Sequence, residues 1–187
     1  MSGVTPDGWL AGVRRRPSPN CDDRPDAVDV SLLVVHNISL PPGDFRGEEV
    51  ERFFTNRLDF DAHPYYATLR DLRVSAHFLI HRDGSLVQFV PCGRRAWHAG
   101  VSTWKGRSSC NDFSVGVELS GTDERCYTAR QYARLARLVK TLRTRYPLAD
   151  LVGHSDIAPG RKTDPGRAFD WRRLRTLLGD AKPARTR

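Results

Sequence analysis

Apolar and polar positions change rhythm several times along this chain, and each rhythm predicts an element. Residues 30–38 include Leu32-Leu33-Val34-Val35 and run almost without polar interruption, the pattern of a strand buried on both faces. Residues 47–58 place Val50, Phe53, Phe54 and Leu58 on one helical stripe. Residues 75–81 and 85–90 flank Arg82-Asp83-Gly84, and an Asp-Gly pair between two strand patterns predicts a hairpin. Val115, Val117 and Leu119 alternate with Ser114, Gly116 and Glu118. That sets Glu118 on the face opposite the aliphatics, beside a glycine that leaves room for a ligand. Thr128 is placed to cap a helix reaching about Tyr146, with Tyr132, Leu135, Val139 and Leu142 inward and arginines outward, and Pro147 stops it. Residues 151–153 form a short strand that delivers His154. Asp170 caps a last helix over 171–178, which Gly179 ends. The sum is an α/β (α+β) single domain, a mixed central β-sheet flanked by helices.

A chain of 187 residues is long enough for one sizeable core. The domain is read as residues 26–179. Residues 1–25, with Arg14-Arg15-Arg16, Pro17, Pro19 and Pro25, read as an irregular N-terminal arm, and residues 180–187 as a basic flexible tail. The net charge of +8 suits an anionic partner. Nucleic acid is set aside, because the basic residues are spread along the chain and no recognised motif organises them. Small peptides with several carboxylates fit the charge equally well. No stretch approaches a membrane span, and residues 9–13 are too short and too soon followed by Arg14 to be a signal peptide. The four cysteines form no CxxC pair and read as reduced thiols of a cytoplasmic protein.

Three separated residues form a set suited to one metal ion: His36 at the end of the first apolar run, His154 after Leu151-Val152-Gly153, and Asp164 in Lys162-Thr163-Asp164-Pro165-Gly166. Two imidazoles and a carboxylate are a ligand set typical of catalytic zinc, which keeps a fourth position for water. Both histidines sit where a strand gives way to a loop, and Pro159 and Gly160 let the intervening loop fold back. Pro165 favours an extended Asp164, so Lys162, two residues away, projects to the same side. Taken singly, His36 reads as a core histidine and Asp164 as a turn former. The combination with Glu118 and Lys162 reads as a metal hydrolase.

These strings, together with Trp97-His98-Ala99-Gly100-Val101-Ser102, residues 110–118 and Gly153-His154-Ser155-Asp156-Ile157-Ala158-Pro159, resemble the zinc N-acetylmuramoyl-L-alanine amidases, in unchanged order from about residue 8 to residue 178. The resemblance is nearest to the cytosolic AmpD-type branch, the 1,6-anhydro-N-acetylmuramyl-L-alanine amidases of cell-wall recycling. It implies the fold shared with phage amidases and peptidoglycan-recognition proteins. It also implies Zn2+ on His36, His154 and Asp164, Glu118 as catalytic acid/base and Lys162 as the stabiliser of the transition state. The expected partner is a small anionic muropeptide, met by a monomer.

For that substrate, Arg73 and Arg161 are candidate carboxylate clamps, with Arg107 a weaker one. Asn37 is expected to bind substrate or to order the metal loop. Trp97 is placed against the sugar and His98 in the groove. His77 stays open between the groove wall and a structural role, His63 lies in a loop, and His81 reads as solvent-exposed. Two other readings remain beside the leading one: a phage-type or exported amidase acting on polymeric peptidoglycan, and a peptidoglycan-binding module without catalysis.

Overall fold

A computed structural model describes residues 3–26 and 28–180. In chain order the elements are β1 (Arg14–Arg15), β2 (Cys21–Asp23), β3 (Leu32–Ile38), α1 (Glu49–Phe54), α2 (Pro64–Ala67), β4 (Phe78–Ile80), β5 (Leu86–Gln88), β6 (Arg94–Ala96), β7 (Thr103–Trp104), β8 (Arg107–Ser108), β9 (Ser114–Ser120), α3 (Ala129–Arg143), β10 (Asp150–Gly153), α4 (His154–Ile157) and α5 (Trp171–Leu178). A six-stranded sheet has the order β1-β5-β4-β9-β3-β10. It is mixed: β4, β9, β3 and β10 run parallel, and β5 returns antiparallel to β4 through the expected Asp-Gly turn. Its two seven-residue strands, β3 and β9, are central, and β9 is buried at every position.

Helices cover both faces. Leu33, Val35, Val115 and Val117 pack beneath α3 and α5, while Leu79, Val87 and Phe89 pack with Phe53 and Phe54 of α1 and Tyr66 of α2. Four side chains of α3 (Leu135, Leu138, Val139, Leu142) are fully buried, each contributing about 1.5–3 kcal/mol of apolar transfer. Thr128 caps α3 as expected. Its hydroxyl accepts from the Gln131 amide at 3.1 Å, and the Gln131 side chain accepts from the Thr128 amide at 3.0 Å. Helix α1 is shorter than residues 47–58, because Gly47 and Asn56 both adopt positive φ, at 79° and 57°, and so lie outside helical geometry.

Residues 3–25 are not the irregular arm expected. β1 extends the main sheet beside β5, and β2 pairs with β6. Leu10 is fully buried, and its amide donates to the Gln88 side chain at 2.8 Å. The Arg24 guanidinium donates to the carbonyls of Asn111, Asp112 and Ser114 at 2.8–2.9 Å. The segment has no periodicity because its partners are sheet edges and backbone carbonyls rather than an apolar face of its own. The basic tail lies outside the described residues, apart from Asp180, which accepts from Arg143 at 2.9 Å.

Candidate metal centre and catalytic cleft

The parallel strands β3, β9 and β10 deliver the site together. Register pairs His36 of β3 with Glu118 of β9, and Gly153, the last residue of β10, leads into His154 at the start of α4. The following loop folds back on that strand end. The Ser155 amide donates to the Asp164 carbonyl at 2.9 Å, and the Tyr127 hydroxyl donates to the Pro165 carbonyl at 2.7 Å. Gly153 permits this approach, since a Cβ there would lie 2.7 Å from the Pro165 ring.

The result is a triangle of donors. His36 Nδ1 and His154 Nδ1 are 3.0 Å apart, and Asp164 Oδ2 is 3.1 Å from each. Ligand atoms about 2.0–2.1 Å from a tetrahedral zinc are spaced roughly 3.3 Å from one another, so the triangle is close to one face of that polyhedron. The other ring nitrogens are engaged: His154 Nε2 lies 3.2 Å from the Ala99 carbonyl and His36 Nε2 lies 2.9 Å from His98 Nδ1. With metal bound, hydrogen atoms on both Nε2 positions would leave both Nδ1 lone pairs facing inward, as a metal requires. The residues present therefore fit the zinc that the ligand set implies.

Burial sets the charge states. It holds the His36 imidazole down at about 4, against an opposing hydrogen bond to Asp164. Burial acts upward on Asp164, but hydrogen bonds from His154 and His36 outweigh it and hold the carboxyl well below its ordinary range. Glu118 is pushed well above the usual carboxylate range by burial and then by the Asp164 charge, with Lys162 partly offsetting both. Its Oε2 is buried without a hydrogen-bond partner. A carboxyl of this kind, beside a donor triad and facing a cleft, is equipped to exchange protons with a reacting group.

The cleft encloses about 680 Å³ and is bordered by His36, Glu118, His154 and Asp164. Lys162 and Arg161 line one side, while Phe53, Tyr65, Leu69, Leu72 and Val74 make an apolar wall. Asn37 lines it and donates to Asp123 at 2.8 Å, tying β3 to the loop before α3. Trp97 lines it with its indole N–H committed to Asp22 at 3.0 Å.

Other placements differ from expectation. Arg73 does not line the cleft; it is exposed and donates to the carbonyls of Arg70 and Leu72 at 2.8 and 3.0 Å. Arg161 reaches the cleft but donates to the carbonyls of Ala99, at 2.9 Å, and Val101, clasping that loop. Arg107 stacks on Phe113 at 3.8 Å. His98 borders the cleft, yet both ring nitrogens are taken, by His36 and by the Ser114 hydroxyl at 3.2 Å. The space beside Gly116 holds this imidazole rather than a ligand, since a Cβ on Gly116 would lie 2.4 Å from the ring. His77 is fully buried and structural: Nδ1 accepts from the Gly116 amide and Nε2 faces the Arg94 carbonyl, each at 3.0 Å. His63 caps α2 by accepting from the Tyr65 amide, and His81 is bonded to the buried Glu51 at 3.1 Å rather than free in solvent. Asp123, Tyr127 and Asn111 also shape the site. No local pattern marks them, because each acts on backbone or on a polar side chain distant in the chain.

Comparison with known proteins agrees with this geometry. The family model described as N-acetylmuramoyl-L-alanine amidase matches residues 26–167. A 1,6-anhydro-N-acetylmuramyl-L-alanine amidase, AmpD, from Citrobacter freundii is 58% identical over 92% of this chain and 93% of its own length. The crystal structure of a Se-Met AmpD derivative superimposes with a TM-score of 0.91 at 57% identity, covering 94% of this chain and 99% of that one. A complex of the amidase AmiD from E. coli with anhydro-N-acetylmuramic acid-L-Ala-D-γ-Glu-L-Lys is 27% identical with a TM-score of 0.58, over 94% of this chain and 65% of AmiD. The mixed sheet, the His-His-Asp triangle and these matches lead to one conclusion: the chain belongs to the N-acetylmuramoyl-L-alanine amidase family.

Proposed function

We propose that this protein is a zinc amidase that hydrolyses the amide between the lactyl group of 1,6-anhydro-N-acetylmuramic acid and L-alanine in soluble muropeptides, in cell-wall recycling. The observation that carries the reading is the convergence of His36, His154 and Asp164 within about 3 Å of one another, beside the unpartnered Glu118 carboxyl. The substrate class follows the C. freundii relative and the peptide held by AmiD.

His36, His154 and Asp164 would hold the ion. Zinc, when bound, supplies a Lewis acid for the carbonyl and brings the pKa of a water from 15.7 to about 7. Glu118 accepts a proton from the attacking water and returns it to the alanine nitrogen. That second transfer matters because an unprotonated amine is a poor leaving group. The Lys162 ammonium keeps Glu118 able to ionise and faces the charge that grows on the carbonyl oxygen. One such stabilising donor lowers a barrier by roughly 2.7–4 kcal/mol. The water adds across the amide, giving the lactyl carboxylic acid and a free peptide amine. Asn37, Trp97 and Arg161 are proposed to contact substrate from the cleft wall, and the apolar side chains from Phe53 to Val74 suit the carbon-bound face of a sugar ring.

A cytoplasmic setting is supported by four cysteines that are all free thiols. Incubation with a soluble 1,6-anhydro-muropeptide should yield sugar and peptide fragments whose summed mass exceeds that of the substrate by one water. A chelator should abolish this and one equivalent of zinc restore it. Cleavage of intact sacculi in preference to the soluble substrate would transfer the assignment to a wall-lytic amidase. No cleavage of either by zinc-loaded protein would leave a binding module.

A further inference from the structure

The metal triad has a second layer that the reaction scheme does not use. His36 Nε2 lies 2.9 Å from His98 Nδ1, and His98 Nε2 lies 3.2 Å from the Ser114 hydroxyl. The rings of His36 and His98 meet edge-on, their centroids 5.0 Å apart, and His77 meets His98 the same way at 5.7 Å. The peptide carrying His98 is fixed as well. The amides of His98 and Ala99 both donate to the Asn111 side-chain oxygen, at 3.1 and 2.8 Å. The next carbonyl, that of Ala99, faces His154 Nε2 at 3.2 Å. Two consecutive residues, clamped by one asparagine, therefore hold the far nitrogens of both histidines of the triad.

The hydrogen positions along this line are mutually determined. If His36 presents a lone pair on Nδ1 to the metal, its hydrogen is on Nε2 and points at His98 Nδ1. His98 must then accept on Nδ1 and carry its own hydrogen on Nε2, aimed at the Ser114 oxygen. Each link has one arrangement in which every nitrogen is satisfied. A reversal of His98 would set two N–H groups against each other and leave buried donors unsatisfied, which is disfavoured. Gly116 is part of the device, because only a residue without Cβ leaves the ring its place.

We propose that His98 is a positioning residue, seated on Gly116 and anchored by Ser114, that fixes the tautomer and ring angle with which His36 meets the metal. This rests on the zinc reading above. An outer partner of a metal-bound histidine is typically worth 10–100-fold in metal affinity.

The test measures zinc binding by chelator competition on wild type, His98→Phe, His98→Asn and Gly116→Ala, with thermal unfolding of each metal-free protein as the folding control. His98→Phe keeps a ring but offers no acceptor, and Gly116→Ala drives the ring off its seat. Both should bind zinc 10–100-fold more weakly. In His98→Asn the amide oxygen takes the place of Nδ1, and affinity should return to within a few-fold of wild type, which general loosening of the fold would not restore. Independently of any variant, nitrogen NMR of the zinc-loaded wild type should show His36 and His98 both protonated on Nε2. Wild-type affinity in folded His98→Phe, or a proton on Nδ1 of His98, overturns the proposal while leaving the zinc reading intact. Failure of wild type to bind zinc would instead remove the reading beneath it.

Discussion

His77 offers a quantitative test of how the site is supported. It is fully buried, its Nδ1 holds the Gly116 amide and its Nε2 faces the Arg94 carbonyl. Burial, then the nearby Arg24 charge, pushes its pKa down to about 3 from an ordinary 6.5, although the Arg94 carbonyl acts the other way. Between those values the unfolded chain takes up a proton that the folded protein refuses, so folding stability falls as the pH is lowered from 6.5 toward 3. One proton changes stability by about 1.4 kcal/mol per pH unit, so between pH 7.5 and pH 4 this side chain alone removes about 3 kcal/mol. Domains of this kind are stable by only about 5–15 kcal/mol, which makes the loss easy to see.

The assay is urea unfolding of metal-free wild type and His77→Gln at several pH values from 7.5 to 4. A glutamine has an acceptor and a donor but does not titrate. At pH 7.5 the variant should be the less stable protein, because the packing around the ring is lost. The gap should close by about 3 kcal/mol as the pH reaches 4, since only wild type bears the linked penalty. Taking the difference between the two proteins cancels His36 and the carboxylates, which titrate in both. Parallel stability curves would refute the reasoning and show that His77 is solvated or protonated in the folded state.

Three further variants test the site. Glu118→Gln should retain zinc and lose roughly 10²–10⁴-fold in turnover. Because the Glu118 pKa is raised in the folded protein, its stability deficit begins above the ordinary 4.5 and grows with pH, so metal-free Glu118→Gln should gain on wild type in urea unfolding as the pH rises. Lys162→Ala, a change at an exposed position, should leave zinc content and melting temperature unchanged and cut kcat about 100–1000-fold in a muropeptide mass assay. Asp164→Asn should lose stoichiometric zinc on dialysis, read by metal analysis of the purified protein, since the uncharged amide is a poor ligand and leaves two imidazoles alone.

The frame of the fold and the triad were legible in the sequence for the same reason. β3 opens on a continuous aliphatic run and β9 alternates aliphatic with small or polar residues, and such runs have few alternatives to a strand. His36, Glu118 and His154 each stand at a fixed offset from such a run, so placing the strands placed the side chains. Asp164 was readable because Pro165 restricts it. The rest depended on shape or on backbone. Whether Gly116 opens onto a ligand or onto His98 is decided by which ring occupies a void, and alternation along one strand carries no such information. Arg73 and Arg161 looked like clamps because guanidinium charge invites a carboxylate, yet the structure gives both to main-chain carbonyls. The docking of residues 3–25 rests largely on Gln88 and Arg24, polar residues whose partners are peptide groups far away in sequence.

These findings join at the file of histidines behind the metal position. His36, His98 and His77 are stacked edge-on in succession, and burial lowers the pKa of each: to about 4 at His36, to about 3 at His77, and well below its ordinary value at His98. A metal ligand and a hydrogen-bond acceptor both need a neutral imidazole with an available lone pair. The burial that makes the protein sensitive to acid is therefore the same burial that keeps each ring neutral at pH 7. A more solvated file would be more stable in acid, but protons would then compete for the lone pairs that orient His36. The acid sensitivity expected of His77 and the metal affinity expected of His98 are two measurements of one arrangement.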